Sequence, residues 1–229
     1  MTSAEILKRL RSMANPANVA GMARYGISTK GALGISIPAL RKLAKEIGTD
    51  HRLAMQLWKS SIHEARLLAG FVGDPTRMTR REMERWVRDF DSWDTCDLVC
   101  SGLFDRTPFA YDLVFEWTRR PEEFVKRAGF VLMAALAVHD KERRDADFRR
   151  FFPVMRREAG DERNFVKKAV NWALRQVGKR NRALHRAAIA ECGRIQKLGS
   201  RSARWIAADA LRELKGDVVR RKLERIHGR

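Results

Sequence analysis

Phe124-Val-Lys-Arg-Ala128 and Phe165-Val-Lys-Lys-Ala169 stand 41 positions apart, and each opens a run with helical periodicity. The second run carries Trp172, followed by Arg175. Self-similarity at about 40 residues, built from helix pairs, is the signature of a HEAT-like array. Each repeat buries one face against its neighbours and leaves another lining an elongated groove. The expected fold is therefore all-α, a HEAT-like helical-repeat solenoid (an α-α superhelix) with a concave basic groove. It is expected to occupy 1–229 as one repeat domain, with the solenoid reaching about 214 and a basic tail over 215–229.

Outward from that pair the periodicity holds. Apolar residues recur at three and four rather than two, so no strand is expected. Leu7, Leu10 and Ala14 begin the pattern. Leu40, Leu43, Ala44 and Ile47 follow, opened by Pro38 and closed by Gly48. Further helices are expected over 62–72, 83–90, 93–104, 107–117, 121–138, 148–159, 164–177, 184–198 and 202–214. Ser92 is placed as an N-cap, and a bend or restart is expected near Pro153 in its helix. The longest irregular stretch is 28–37. Short linkers between amphipathic helices mean antiparallel neighbours. The Ala-rich, basic helices that hold His63-Glu-Ala-Arg66, Val125-Lys-Arg-Ala128, Val166-Lys-Lys-Ala169 and Ser202-Ala-Arg-Trp205 form one layer, taken as the inner one.

The 229 residues carry a net charge of +19. Residues 1–140 hold 21 Lys/Arg against 17 Asp/Glu, whereas 141–229 hold 26 against 11. A one-sided excess is the electrostatic footprint of a nucleic-acid binder. Charge alone does not separate DNA from RNA or an anionic membrane. No run of about 20 apolar residues could span a bilayer. The N-terminus has no basic and apolar leader. A cytoplasmic, nucleoid-associated location is expected, with no membrane partner. Cys96, Cys100 and Cys192 lack metal-ligand spacing and read as small buried hydrophobes. There is no P-loop, no G-x-G-x-x-G, no nucleophile elbow and no H-E-x-x-H. His63, beside Glu64, reads as a packing or turn residue rather than a base.

Two local constellations carry chemistry. In Ser92-Trp-Asp-Thr-Cys-Asp97, Trp93 and Asp97 are four apart and share a helix face. A carboxylate repels phosphate, so in a polyanion groove it needs another task, and stabilising a cation is the obvious one. The alternative, weightier on this segment alone, is that Asp91, Asp94 and Asp97 enrich a helix start with acid while Trp93 is core. Trp172 lies on a helix opened by Lys167 and Lys168. It either stacks on a base or sugar or packs between repeats. Arg127 binds a phosphate or starts a buried ion pair. Lys167, Lys168, Lys179, Arg180 and Arg182 make a denser cationic set suited to phosphate, with a solvated face as the alternative for some of them. Arg175, flanking Trp172, is a further DNA-binding candidate. Trp58, Trp86, Trp117 and Trp205 read as packing residues.

At these residues the chain resembles the AlkD-like DNA alkylation repair glycosylases, all-helical HEAT-like proteins. The likeness runs from about Ala4 to Leu214. It is carried by Leu33-Gly-Ile-Ser-Ile-Pro-Ala-Leu-Arg41, His63-Glu-Ala-Arg66, Ser92-Trp-Asp-Thr-Cys-Asp97, Phe124-Val-Lys-Arg-Ala128 and Phe165-Val-Lys-Lys-Ala-Val-Asn-Trp-Ala-Leu-Arg175. The resemblance implies excision of cationic alkylated purines, 3-methyladenine and 7-methylguanine, from double-stranded DNA. It implies Asp97 as the essential carboxylate, Trp93 and Trp172 as the sugar-contacting aromatics, and Arg127 as a phosphate contact. It also implies a nucleotide attacked while stacked, without a deep base pocket. Such a base departs neutral and needs no general acid, so one carboxylate facing an oxocarbenium-like sugar suffices. No metal or organic cofactor is implied, and a monomer is expected. The competing readings are a non-catalytic nucleic-acid-binding solenoid and a protein-interaction scaffold.

Overall fold

The computed structural model describes residues 1–227 and contains, among them, fifteen α-helices and no strand. The last two residues of the expected basic tail, Gly228 and Arg229, lie outside the described residues. The chain divides into two compact units, Met1–Ala110 and Tyr111–Arg229. No described helix is long and apolar enough to cross a membrane.

The first unit holds α1 (Ser3–Ser12), α2 (Pro16–Arg24), α3 (Ile37–Ile47), α4 (His51–Trp58), α5 (His63–Val72), α6 (Arg80–Arg88) and α7 (Trp93–Gly102). Two of these, α2 and α4, are not expected from periodicity, yet each carries a local start signal. The Asn15 side chain accepts from the Asn18 N–H with Pro16 at the first helical position, and Asp50 accepts from the Leu53 N–H. Capping boxes open α1 and α6, at Thr2/Glu5 and Thr79/Glu82. α5 packs between α3 and α7, and α4 packs on α5. The core centres on Trp58 and Trp86, stacked with ring centroids 4.0 Å apart and planes 3° from parallel. Phe90 and Phe104 surround them.

The second unit holds α8 (Ala110–Trp117, apart from its first residue), α9 (Glu123–His139), α10 (Asp145–Arg149), α11 (Phe151–Glu158), α12 (Asn164–Gly178), α13 (Arg182–Gln196), α14 (Arg201–Leu214) and α15 (Asp217–His227). The tail is thus helical as far as it is described, with Val219 and Leu223 buried. The break in the 148–159 segment falls at Arg150, between α10 and α11 and three residues before Pro153. Pro153 is the third residue of α11, where a missing N–H leaves no helical bond unmade.

The 41-residue echo is structural. α12 packs between α9 and α14, and α13 lies against α12 and α14. Equivalent residues of the two echoed segments touch: Phe124 and Phe165 have ring centroids 5.4 Å apart. Gly129 lets α9 close on the end of α8, because a Cβ there would lie 2.7 Å from Thr118 Cγ2 and 2.9 Å from its backbone nitrogen. Of the tryptophans taken as packing residues, Trp58, Trp86 and Trp117 are buried. Trp205 is not: it is 38% exposed, with the Lys167 ammonium 5.6 Å above its ring. Its neighbours Ile206 and Ala207 take the buried face of α14, and periodicity cannot distinguish the edge of an apolar stripe from its centre.

Candidate functional site

In the first unit the feature to explain is the start of α7, which presents Trp93 and Asp97. Both are partly exposed, while Asp94, Thr95 and Cys96 between them are buried. Ser92 occupies the N-cap position, but its hydroxyl makes no capping bond. It donates instead to Asp94 Oδ1 at 2.5 Å and accepts from the Ser28 N–H at 3.4 Å. Asp94 Oδ1 also accepts from the Thr95 N–H at 2.9 Å. Its other oxygen faces His63 Nε2 at 2.8 Å, with the imidazole and Asp94 both buried. Asp94 is therefore more than a helix-start acid: it locks α7 to α5.

The electrostatics follow from that burial. Burial alone would push the Asp94 carboxyl up, but the hydrogen bonds and charge from His63, with Ser92 and the Thr95 N–H, hold it below its ordinary value. Burial likewise favours a neutral His63, yet Asp94 outweighs it and holds the imidazole above its ordinary value. The ring thus donates its Nε2 proton to the carboxylate and anchors the helix.

A second carboxylate fixes the segment facing α7. Glu64, 1% exposed, accepts the N–H groups of Leu33 at 2.8 Å, Gly34 at 2.6 Å and Ile35 at 3.2 Å. Gly34 has φ +74°, and a Cβ there would stand 2.2 Å from the Asn15 carbonyl oxygen. Only glycine meets both conditions. The Leu33-Gly-Ile and His63-Glu-Ala-Arg motifs, 30 residues apart, are therefore two halves of one joint. The irregular 25–36 stretch so anchored supplies the Tyr25 carbonyl, which accepts from Trp93 Nε1 at 2.9 Å. Tyr25 itself is 74% exposed. Sequence reasoning missed His63, Glu64, Asp94 and Tyr25 as parts of the site. His63 and Asp94 stand 31 residues apart, as do Trp58 and Asp89, but Tyr25 and Trp93 are 68 apart, so no single spacing marks the site.

In the second unit the expected cations separate into different roles. On α12, Lys168, Trp172 and Arg175, with Lys179 at its C-cap, follow one another at steps of four, three and four, so they form a single stripe. Val166, Ala169, Val170, Ala173, Leu174 and Val177 are buried on the opposite face. Lys168 is exposed and Trp172 partly so. Arg175 and Lys179 converge on Glu213 of α14; the Lys179 Nζ–Oε1 distance is 2.6 Å. Burial works against the Glu213 charge, but the two cations win and hold its carboxyl low. The stripe therefore carries a mixed field rather than a row of bare cations.

Arg127 and Arg180 are engaged within the fold. The Arg127 side chain is buried, and Nη1 donates to the Phe165 carbonyl at 2.6 Å, tying α9 to the start of α12. The Arg180 guanidinium donates to the carbonyls of Ala137 at 3.2 Å, Lys141 at 2.9 Å and Arg143 at 3.0 Å, and lies 4.3 Å over the Phe148 ring. It closes the C-terminal end of α9 and fixes the loop beyond it. The three cysteines are buried and form no disulfide, and burial pushes the Cys192 thiol up to about 12. Among the described residues, no group of three or more His, Cys, Asp or Glu side chains is placed to hold a metal ion.

The sequence profile described as DNA alkylation repair enzyme matches residues 6–214. A solved structure described as belonging to a new family of proteins related to the HEAT-like repeat DNA glycosylases, with affinity for branched DNA structures, is similar in fold. Its TM-score is 0.74 at 19% identity, covering 85% of this chain and 83% of that one. The comparison with curated proteins gives no match.

Proposed function

The chain belongs to the DNA alkylation repair enzyme family, and from that premise we propose that it is a monofunctional DNA glycosylase releasing cationic N3- and N7-alkylated purines. The observation that carries this reading is the start of α7. A partly exposed carboxylate, Asp97, stands one turn from the indole of Trp93 on a helix end locked by Ser92, Asp94 and His63.

The chemistry asks little more of the protein. An N3- or N7-alkylated purine is already positively charged, so cleavage of its N-glycosyl bond returns the bonding pair to the base, which leaves neutral. Positive charge then develops on the sugar as an oxocarbenium-like centre. Asp97 is proposed to face that charge and to orient the water that adds to it. The Trp93 face attracts the cationic nucleotide. Trp172 is proposed to stack on DNA, and Lys167, Lys168, Arg175 and Lys179 to contact phosphates. Arg127 joins them as a proposed phosphate contact at the start of α9. Arg180 is proposed to act through the loop it fixes.

The test is release of free 3-methyladenine and 7-methylguanine from methylated double-stranded DNA, with Asp97→Asn alongside. Wild type should release base, and the variant should lose about 10²–10³-fold or more in rate while binding DNA at least as tightly. An Asp97→Asn protein as active as wild type would remove Asp97 from the chemistry. A second reading, DNA binding without base release, draws on the similar solved structure described as having affinity for branched DNA. Binding without product from either protein would select it.

A further inference from the structure

The basic excess of residues 141–229 also gathers at a place remote in sequence from the α12 start. A cavity of about 430 Å³ lies at the C-terminal ends of α9 and α12. Lys141, Arg143, Lys179, Arg180 and Lys222 line it, and Asp145 is the one carboxylate among its lining residues.

Several of these cations already have structural partners. Arg180 serves three carbonyls. Arg143 pairs with Asp147 at 3.0 Å and lies 4.1 Å over the Tyr111 ring. Lys179 pairs with Glu213, and Asp145 accepts from Asn181 Nδ2 at 2.8 Å. Lys141 and Lys222 have no carboxylate partner among the described residues. Capping of the α9 C-terminus does not explain them, because Arg180 already takes the Ala137 carbonyl. Their grouping carries a cost: partial burial of the ammonium on an otherwise exposed side chain, and then the charges of Lys179 and Lys141, hold Lys222 below its ordinary value. Lys222 also comes from α15, beyond the matched residues 6–214. Like charges around one cavity are unfavourable on their own, and an anion seated among them offsets that repulsion.

We propose that this cavity is a phosphate-binding site, with Lys141 and Lys222 as its open cations and Lys179 as a shared one, and that it takes phosphates of a nucleic-acid strand. The nucleic-acid source rests on the reading proposed above; the phosphate chemistry does not. Arg180 is a positioning residue here, since its bonds to the Lys141 and Arg143 carbonyls hold the loop that presents Lys141.

The experiment uses the full chain, a Lys141→Ala/Lys222→Ala protein, and a Lys8→Ala/Lys45→Ala control that removes two exposed cations elsewhere. Binding of unmodified duplex DNA is followed by fluorescence anisotropy across a salt series, and binding of inorganic pyrophosphate by calorimetry. The magnitude of the negative slope of log K against log salt should fall by about 0.9 for each phosphate no longer neutralised, hence by roughly 1–2 in the cavity variant, with little change in the control. Pyrophosphate should bind wild type and the control but not the cavity variant. Lys141→Arg/Lys222→Arg should restore both. Loss of pyrophosphate binding with an unchanged DNA slope would keep the phosphate site and overturn its nucleic-acid source. A cavity variant matching wild type in both arms would overturn the proposal. All substituted lysines are exposed, so each protein should fold, and the cavity variant should melt no lower than wild type because it loses like-charge repulsion. Absence of base release by wild type would count against the glycosylase reading and leave both arms legible.

Discussion

Replacing Glu64 with Gln isolates the joint that holds the 25–36 segment against the body of the first unit. The carboxylate accepts three consecutive backbone N–H groups, at 2.8, 2.6 and 3.2 Å, and is 1% exposed. Gln has nearly the same shape but one acceptor oxygen. Its amide group can keep Oε1 against Gly34 and Ile35, and then turns N–H donors toward the Leu33 N–H. One donor stranded in the interior costs about 1–3 kcal/mol, and the two surviving bonds lose their charge assistance at about 1 kcal/mol each. The sum is about 3–5 kcal/mol. At about 2–4 °C per kcal/mol for a chain of this size, the melting temperature should fall by roughly 6–20 °C. Thermal unfolding followed by circular dichroism, with a urea titration alongside, measures it. Trp93 fluorescence should change as well, because the Tyr25 carbonyl that holds its indole belongs to the released segment. A Glu64→Gln protein melting within about 2 °C of wild type would refute the reasoning, since three bonds to a buried charged acceptor cannot be weakened without cost.

The His63–Asp94 pair makes stability depend on pH with a definite sign. His63 is raised in the folded state, so its contribution is complete below the unfolded value and lost as pH rises through the folded one. Asp94 is lowered, so its contribution is present above the unfolded value and lost as pH falls through the folded one. The stability gap between wild type and Asp94→Asn should be widest between those limits and narrow on both sides, as read from urea midpoints across a pH series; a gap that widens with alkaline pH would refute it. Arg127→Ala removes a buried guanidinium and strands the Phe165 carbonyl, and should cost about 2–4 kcal/mol in urea unfolding. If that variant lost DNA affinity at unchanged stability, the tie between α9 and α12 would carry no weight. Trp117→Ala should cost about 3–5 kcal/mol, whereas Trp205→Ala, 38% exposed in wild type, should cost under about 1.5 kcal/mol in the same assay.

What the sequence determined by itself is what short range controls. Helical class follows from spacing at three and four, helix starts from caps such as Asn15, Asp50 and Asn181, and stacking of equivalent turns from the 41-residue echo that brings Phe124 onto Phe165. Trp93 and Asp97 share a face because four residues make about one turn. Lys168, Trp172, Arg175 and Lys179 form a stripe for the same reason. The tertiary structure decided which charges are available. Arg127 and Arg180 look as cationic in sequence as Lys168, yet backbone carbonyls 37–43 residues away engage them. Asp94 and Asp97 look alike as acids of one helix start, yet only Asp94 meets His63. Glu64 is one acid among many until three N–H groups converge on it. Hydrogen bonds act over about 3 Å, and no local pattern encodes which groups thirty or forty residues apart will come within that distance.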